Sequence, residues 1–582
     1  MPARINKTEY GHSCPPEGPH TVTIHAKGWD SAMGIRDGDP AVFSRLVSMY
    51  PRFAPWGLCR QLTAAISKKL GLSETQTCIA LTAADALELA RAFACSPLRL
   101  EHQVKDPADL SLRTVDIGPD GGDRIRLRVV VGPAAAAKAL GVAWQTGGLG
   151  VSSRLAEALL PHVETSLVEV DGDAAAAPGS WSGLREDGAH AALRGRIAEL
   201  LRRAPLEPAR AETVVPEDVF LYPTGMAAIY RCHQALARHR PGRVLVLGSV
   251  FKNTWHLFDE SAAGMKHFGH CHDGPGLLAD LEAWLAAEAA EGRGVSYCFL
   301  EFPSNPILVS ADLVKLRALA DRYGFPLVVD DTVGSFANID MLPVADVVMS
   351  SLTKSFSGYA DVMGGSIVLN KSIPAHYADI SRVFADQFVN ELFAADAAQL
   401  VANSADYLAR TAVLNRNAAA LAALFDGRRK KQQQQQEGIG GGSSSSNVVI
   451  TGVNYPPYTS TAASYAAAMR PDTPEFRAGH GCLLSVDFET VGMATAFYDS
   501  LEYFHGPHLG AHRTLAIPFA ALAFGKKGQV ETAEYHNAYG NRAAQVRISA
   551  GLEDEDEVVG MAEEALARAE EMLGRESEEL SN

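Results

Sequence analysis

Five short apolar segments constrain the fold of this chain more than any other feature of its sequence. They are VLVLG (244–248), VSYCFLEF (295–302), PLVVDD (326–331), ADVVMSS (345–351) and GSIVLN (365–370). Helical patterns such as LLADLEAWLAAEAA and DLVKLRALADRYG lie between several of them. Short apolar strands that alternate with helices are typical of a mostly parallel sheet covered on both faces. The region from Phe220 to about Gly365 is therefore predicted to be an α/β domain.

The regions on either side differ from this one in composition. Residues 1–60 are predicted to be an irregular arm, and residues 60–215 alternate helical runs with one strand at 123–131. We divide the chain into an N-terminal arm and extension (1–215), a large domain (216–400) and a smaller α+β C-terminal domain (401–582). The segment RRKKQQQQQEGIGGGSSSSN (428–447) cannot bury apolar surface, so it is predicted to be a mobile surface loop.

Composition argues against several classes of protein. The net charge of −16 over 582 residues argues against a nucleic-acid partner. No run of 18 apolar residues is present, so no membrane span is predicted. The N-terminus lacks the apolar core of a secretory signal, and the eight cysteines show no zinc-ligand spacing. We therefore predict a cytoplasmic protein without a metal site.

Residues 326–365 combine a lysine and an acid in a chemically suggestive way. Asp330 ends an apolar run, and Lys354 follows hydroxyl residues in SSLTK. A pyridoxal phosphate (PLP) site needs a lysine amine that binds the aldehyde, hydroxyl and N–H groups for the phosphate, and a carboxylate that keeps the ring nitrogen protonated. An ordinary βαβ edge with a solvated lysine explains either residue alone. The hypothesis of a PLP site therefore depends on neighbouring motifs.

Four motifs together resemble the γ-family of PLP enzymes of cysteine and methionine metabolism, in particular fungal cystathionine γ-synthases. They are TGMAAI (224–229), EFPSNP (301–306), DDT (330–332) with SSLTK (350–354), and VRISAGLEDEDE (546–557). The resemblance implies an aminotransferase-like large domain of fold type I with a mostly parallel sheet. It also implies a smaller α+β C-terminal domain and an N-terminal extension.

The resemblance assigns the cofactor's anchors. Lys354 matches the lysine that binds the aldehyde and then acts as the catalytic base, and Asp330 matches the acid that pairs with the pyridine nitrogen. Gly225 and Met226 match the residues whose amides hold the phosphate at a helix N-terminus. A plain strand-to-helix turn is the alternative for TGMAAI.

Further residues complete the implied site. Ser351 and Thr353 match phosphate-binding hydroxyls, and Asn305 matches the partner of the cofactor's phenolic oxygen. Arg547 matches the arginine that grips the substrate α-carboxylate in a fork. The alternatives are a Pro-bounded turn for EFPSNP and a surface ion pair for Arg547.

Two positions depart from the family pattern. Phe251, in FKNT, stands where the family has a Tyr that stacks on the ring; it can stack but has no hydroxyl. His508, in HLGAHRTL, stands where a serine normally touches substrate and lysine. Both departures leave the substrate, and even activity, open. A lysine that returns protons to several carbon atoms must be mobile, which would explain Ser355, Ser357 and Gly358 around Lys354.

The family also has a Y-S-R motif that reaches the phosphate from a neighbouring subunit. SSR (152–154) is the preferred match, which makes Arg154 a phosphate ligand, and YPR (50–52) is the competing one. Either match implies active sites shared between chains. A homo-oligomer, dimer or tetramer, is therefore predicted.

The leading functional hypothesis is PLP-dependent γ-replacement on an O-acyl-homoserine. The resemblance suggests O-acetyl-L-homoserine, with cysteine as nucleophile and cystathionine as product, in transsulfuration and methionine metabolism. Within the same class, the alternatives are a carbon or nitrogen nucleophile in specialised metabolism, or a cystathionine lyase. From a different class, the alternative is a non-catalytic relative that serves as a binding partner.

Overall fold

Three β-sheets follow one another along the chain. The computed structural model describes residues 8–51, 53–98, 103–119, 122–170, 183–270, 274–438, 448–525 and 530–581. Its α-helices are Trp29–Asp37, Pro40–Phe43, Leu58–Lys69, Ala86–Ala94, Ala137–Gly147, Ser153–Leu159, Val163–Ser166, Gly188–Arg202, Pro208–Ala211, Gly225–His239, Lys252–Asp259, Gly274–Ala290, Leu313–Tyr323, Ser335–Asn338, Pro374–Gln387, Ala394–Asn403, Tyr407–Gly438, Ala462–Ala468, Val491–Ser500, Phe519–Phe524, Val530–Asn537 and Glu555–Ser581. Among the described residues, no helix has both the length and the apolar character needed to cross a membrane.

The first sheet lies in the N-terminal extension and is antiparallel. Its strands are β1 Gln76–Leu81, β2 Ser111–Ile117, β3 Ile125–Pro133 and β4 Val168–Val170, in the order β1-β3-β2-β4. The sequence predicted only β3, two residues early. The others are too short or too mixed in polarity to stand out from the neighbouring helical runs.

The second sheet is the predicted α/β core. Its strands are β5 Val219–Tyr222, β6 Arg243–Leu247, β7 Met265–Phe268, β8 Val295–Glu301, β9 Leu327–Asp330, β10 Val347–Ser350 and β11 Gly365–Leu369. Their order is β5-β11-β10-β9-β8-β6-β7, and only β11 runs against the others. The predicted fold class is confirmed. All five predicted strands are present, whereas the edge strand β7 was missed because MKHF has no apolar run.

The third sheet belongs to the C-terminal domain. Its strands are β12 Ile450–Asn454, β13 Leu483–Phe488, β14 Phe504–His505, β15 Leu515–Ile517 and β16 Gln545–Ser549, in the order β12-β13-β16-β15-β14. Apart from the parallel pair β14–β15, neighbouring strands are antiparallel. The helices Tyr407–Gly438 and Val491–Ser500 pack on this sheet, and Glu555–Ser581 packs on these two helices. Together they form the predicted smaller α+β portion.

The structure corrects three details of the predicted organisation. The helix Gly188–Arg202, assigned to the extension, contributes Leu193 and Ile197 to the apolar core of the central sheet. The boundary at residue 400 falls inside the helix Ala394–Asn403. The predicted loop is helical as far as residue 438, because Tyr407–Gly438 continues through the polar, helix-favouring Arg, Lys and Gln residues; residues 439–447 lie outside the described residues.

Candidate functional site

A cavity lies at the carboxyl end of the parallel strands, where loops from several strands converge. It encloses about 1090 Å³ of space, including the part open to solvent. The predicted site residues that line it are Gly225, Met226, Phe251, Asn305, Asp330, Ser351, Thr353, Lys354 and Arg547. Predicted site residues that are far apart in sequence therefore line the same cavity, as they must if they form one active site.

Lys354 follows β10 and projects its amine into this cavity. Its Nζ donates a hydrogen bond to the Tyr50 hydroxyl at 2.7 Å. The segment after it is held firmly, because Arg410 donates to the backbone carbonyls of Ser355 and Phe356 at 3.0 and 3.1 Å. A Cβ on Gly358, whose φ is +73°, would overlap the Arg410 guanidinium. The small residue Gly358 thus allows close packing of this segment against Arg410.

Asp330 is the last residue of β9 and is buried. One of its carboxylate oxygens accepts a hydrogen bond from the Thr332 N–H at 2.9 Å. The Thr332 hydroxyl in turn accepts one from the Ser351 N–H at 2.7 Å. Burial raises the pKa of Asp330 to about 6. Thr332, which the sequence analysis did not single out, therefore links the acid to the hydroxyl-bearing loop before Lys354.

Glu301 is a second buried carboxyl group in the cavity. It ends β8, pairs in register with Asp330, and accepts hydrogen bonds from the backbone N–H groups of Phe251 and Asn305. Burial and the neighbouring Asp330 charge raise its pKa well above the usual value. Glu301 thus fixes the backbones of two predicted cofactor-binding residues. The signal in the sequence was its place at the end of an apolar strand.

The helix Gly225–His239 points its N-terminus at Ser351. The Thr224 side chain caps this helix by accepting from the Ala227 N–H at 2.9 Å. A Cβ on Gly225 would lie 2.8 Å from the Cβ and Oγ of Ser351, so only glycine fits between the two elements. The unpaired N–H groups of a helix N-terminus beside a hydroxyl form an anion cradle.

The remaining hydroxyl and thioether of this cradle have partners in the chain. The Thr353 hydroxyl accepts from the Gly364 N–H at 3.0 Å and lies 3.2 Å from the Gly364 carbonyl oxygen. The Met226 sulfur accepts from the Thr254 hydroxyl at 3.6 Å. Thr353 therefore shapes the loop as well as lining the cavity.

Arg547, on β16, brings a buried cation from the C-terminal domain. Its guanidinium donates to Asn305 Oδ1 at 3.1 Å and to the Pro507 carbonyl at 2.6 Å, and lies 4.6 Å from the centre of the Phe519 ring. Burial lowers its pKa to about 10, so it stays charged at neutral pH. A cation already held in orientation on one side of a cavity suits the recognition of a carboxylate.

His508 is buried behind the cavity wall, and its neighbours Pro507 and Leu509 line the cavity in its place. Its ring packs against Tyr50 with the centroids 5.8 Å apart, and neither ring nitrogen has a hydrogen-bond partner among the described residues. Burial and the charges of Lys354 and Arg547 lower its pKa well below the usual value. The predicted direct contact with substrate through His508 is therefore corrected to a contact with the ring of Tyr50.

Arg154 lies outside this cavity in its own chain. Its guanidinium donates to the Asp361 carbonyl at 2.8 Å and pairs with Asp396 at 3.4 Å. Tyr50, from the competing match, lines the cavity instead; Arg52 lies outside the described residues. Within one chain, the structure therefore places Tyr50 of YPR and not SSR at the cavity. Acids of the large domain hold Arg154 away from it.

Comparison with known proteins assigns this architecture to a family. A family described as Cys/Met metabolism PLP-dependent enzyme matches residues 195–567, well over half of the chain. The chain belongs to this family. The resemblance inferred from the four motifs is thereby confirmed, and the protein is a PLP-dependent enzyme.

Relatives of this PLP enzyme have varied names. The cystathionine gamma-synthase-like enzyme iboG2 of Amanita muscaria is 30% identical, with 97% of each chain covered. The alanine racemase ungC of Aspergillus violaceofuscus is 34% identical over 76% of this chain and 74% of its own. The cystathionine gamma-synthase of Neurospora crassa is 27% identical over 97% of this chain and 99% of its own.

The residues of the cavity fit PLP. The cradle between Gly225 and Ser351 suits the phosphate, since it presents helix N–H groups and has no room for a side chain. Asp330 is a buried carboxylate that a protonated ring nitrogen would neutralise. Lys354 supplies an amine to bind the aldehyde, and Asn305 a side chain for the phenolic oxygen.

Replacing Gly225 with alanine is expected to weaken PLP binding by at least about 10-fold, because the new methyl group would force the helix N-terminus away from Ser351. Absorbance titration of the cofactor-free protein with PLP measures this effect. Gly195→Ala, at a helix position where a Cβ meets nothing within 4 Å, is the matched control. Equal affinity in both variants would contradict the assignment of the cradle.

Proposed function

We propose that this PLP enzyme catalyses γ-replacement on an O-acyl-homoserine, with O-acetyl-L-homoserine as the first candidate. One observation carries the proposal: the Lys354 amine, the Asp330 carboxyl and the Arg547 guanidinium line a single cavity. Such a reaction needs a carboxylate clamp, a base for carbon-bound protons and an electron sink. In the cavity, Arg547 can serve as the carboxylate clamp and Lys354 as the base, and the electron sink is the PLP that the cavity can bind.

Each residue has a defined task in this proposal. When bound, PLP supplies the electron sink that makes loss of a proton from carbon feasible. Arg547 binds the substrate α-carboxylate and so orients the α-carbon. Lys354 Nζ takes the α-proton and returns protons to the substrate carbon atoms near it. Asp330 holds a proton on the ring nitrogen by its negative charge, and Glu301 keeps Phe251 and Asn305 in place.

A second candidate is γ-substitution by a carbon or nitrogen nucleophile. The observation that favours it is the apolar part of the cavity lining, which includes Phe53, Phe251, Ile517, Phe519 and Leu522. The Phe519 ring lies against the Arg547 guanidinium. An apolar wall suits an apolar nucleophile better than the charged amino and carboxylate groups of cysteine.

A panel of nucleophiles separates the candidates. The enzyme is incubated with O-acetyl-L-homoserine and, in turn, cysteine, an ammonium salt or an activated methylene compound, and products are identified by mass spectrometry. Cystathionine from cysteine supports the leading proposal, and loss of the ester to another adduct supports the second. Exchange of the α-proton with solvent deuterium without loss of the ester would overturn both and favour racemisation.

Replacing Arg547 with lysine is expected to raise KM for the amino-acid substrate by about 100-fold, because an ammonium group cannot form the two parallel hydrogen bonds of a guanidinium. Steady-state kinetics with the ester measure this, and PLP absorbance shows whether the cofactor is retained. Arg477→Lys, at an exposed position, is the control. The same KM measurement is made with the α-carboxamide analogue of the substrate, which has no carboxylate. If R547K raises KM for this analogue as much as for the acid, Arg547 does not bind the carboxylate.

Two further expectations complete the proposal. We propose that the enzyme is a homo-oligomer that acts in the cytosol on small amino-acid substrates. The seven cysteines that the structure describes are free thiols, which fits a reducing compartment. Light scattering of the purified protein tests the oligomeric state.

A further inference from the structure

The environment of the Lys354 amine contains a hydroxyl group that the motif pattern did not predict. At the position where the family carries a tyrosine this chain has Phe251, which has no hydroxyl. The position of the lysine-facing serine is His508, whose ring lies behind the cavity wall. In this chain Tyr50, from the N-terminal arm, places its hydroxyl 2.7 Å from Lys354 Nζ.

Tyr50 is held in this position by packing on several sides. It is 6% exposed, and its ring makes edge contacts with Phe53 and His508 at centroid distances of 5.6 and 5.8 Å. The chain on either side of it is anchored, since the Ser48 hydroxyl donates to the Thr23 carbonyl at 2.7 Å and the Trp144 indole to the Pro51 carbonyl at 2.9 Å. A hydroxyl fixed in this way has little freedom to leave the amine.

We infer that Tyr50 is a catalytic residue of its own chain, whose hydroxyl holds the Lys354 amine at Nζ in place of the hydroxyl that Phe251 lacks. The tyrosine oxygen accepts a hydrogen bond from the protonated amine, and its O–H donates to the neutral amine. Lys354 therefore keeps one partner while Nζ takes a proton from carbon and returns it. The proton moves only between carbon and Nζ, and Tyr50 keeps its own, so no further reactant is needed. This inference depends on Lys354 as the reactive amine and not on the identity of the nucleophile.

The structure also gives a role to the buried imidazole. His508 is neutral, because burial and the charges of Lys354 and Arg547 lower its pKa, and it supports the Tyr50 ring from behind. A serine at this position would be too small to make this contact. The two departures from the family pattern, Phe251 and His508, thus go together with Tyr50. As a result, the hydroxyl that faces Lys354 comes from the N-terminal arm and not from the large domain.

The first test compares Tyr50→Phe with wild type. We expect kcat to fall by about 10²-fold or more, with KM and PLP affinity unchanged within threefold. In the cofactor-free protein, acetylation of Lys354 should become about threefold faster or more, because the amine loses the hydroxyl that holds it. Mass spectrometry of the acetylated peptide measures this rate even if no substrate of the proposed reaction is turned over. Unchanged kcat together with unchanged acetylation of Lys354 would overturn the inference. A variant that loses only PLP affinity would also overturn it, because Tyr50 would then be a phosphate ligand.

Two further variants sharpen this test. Tyr10→Phe removes a buried hydroxyl from the same arm outside the cavity, and it should leave kcat and the rate of Lys354 acetylation unchanged. The double variant Tyr50→Phe, Phe251→Tyr should recover at least about 10-fold of the lost kcat, because it returns a hydroxyl to the cavity from another element. The inference is overturned if the double variant recovers no kcat and Tyr10→Phe lowers kcat as much as Tyr50→Phe. The N-terminal arm would then have only a structural role.

Mixed oligomers test whether Tyr50 serves its own chain. Chains with Lys354→Ala are unfolded and refolded together with chains that carry Tyr50→Phe. If Tyr50 acts within its own chain, every mixed oligomer has only defective sites, and the mixture stays as inactive as its parts. Recovery of activity on mixing would overturn the assignment, because it requires a Tyr50 that acts on the Lys354 of another chain.

Discussion

Replacing Lys354 with alanine is expected to lower turnover by about 10⁴-fold or more. In the proposed mechanism the amine is both the covalent anchor of PLP and the group that moves protons to and from carbon, and the two losses act on the same steps. The cavity is expected to remain intact, because Arg410 holds the following segment through backbone carbonyls and not through the lysine side chain.

The covalent bond itself provides an independent measurement. After borohydride reduction, mass spectrometry of wild-type peptides should show the added cofactor mass at Lys354, and K354A should show none. Lys315→Ala, at an exposed lysine of the helix Leu313–Tyr323, should behave as wild type. A K354A protein with more than about a tenth of the wild-type turnover would disprove the assignment of the lysine.

Replacing Asp330 with asparagine is expected to lower turnover by about 10³-fold while it stabilises the cofactor-free protein. Asparagine has the shape of aspartate but no charge to keep the ring nitrogen protonated. In the absence of PLP, the same charge destabilises the folded protein, because burial raises the pKa of Asp330 to about 6 from the usual 3.8. Each pKa unit corresponds to about 1.4 kcal/mol, so the ionised group costs about 3 kcal/mol of stability.

The sign of the pH dependence follows from this raised pKa. The folded state binds the Asp330 proton more tightly than the unfolded state, so this group destabilises the protein fully above pH 6 and not at all below about pH 3.8. The gain in unfolding free energy of the cofactor-free D330N protein should therefore be about 3 kcal/mol at pH 7.5 and fall steadily as the pH approaches 4. Urea unfolding at several pH values measures it.

Asp331 provides the matched control for Asp330. It is the next residue, it is buried, and burial raises its pKa to about 8, but it does not line the cavity. Asp331→Asn should also stabilise the protein at high pH yet keep turnover within about 10-fold of wild type. Equal losses of turnover in both variants would show that Asp330 acts through the fold and not through the cofactor.

The central sheet and the main site residues were predictable because their signals are local. Each buried parallel strand is a short apolar run, and the residues at its carboxyl end are brought to one edge by the topology alone. Asp330 ends β9, and Asn305 and Lys354 come four residues after the ends of β8 and β10. The motif around each of them was therefore enough to place it at the cavity.

The residues that the sequence did not place depend on contacts over long distances. Tyr50 reaches Lys354 across 304 positions of sequence, and no pattern near either residue predicts that contact. The role of Glu301 arises from burial beside Asp330, which a single strand does not reveal. The helix Tyr407–Gly438 runs into a polar segment because local helix propensity decides its end, not the burial of apolar surface.

The C-terminal end of the helix Ala137–Gly147 meets the PLP-binding large domain at a single point of very close approach. Gly148 accepts a hydrogen bond from the Thr224 hydroxyl at 2.9 Å, and a Cβ on Gly148 would lie 2.3 Å from that same oxygen. Thr224 caps the helix Gly225–His239, whose N-terminus is the proposed phosphate cradle. The extra N-terminal layer thus touches the residue that sets this helix end, and a movement of Gly148 would displace Thr224 and with it the proposed cradle.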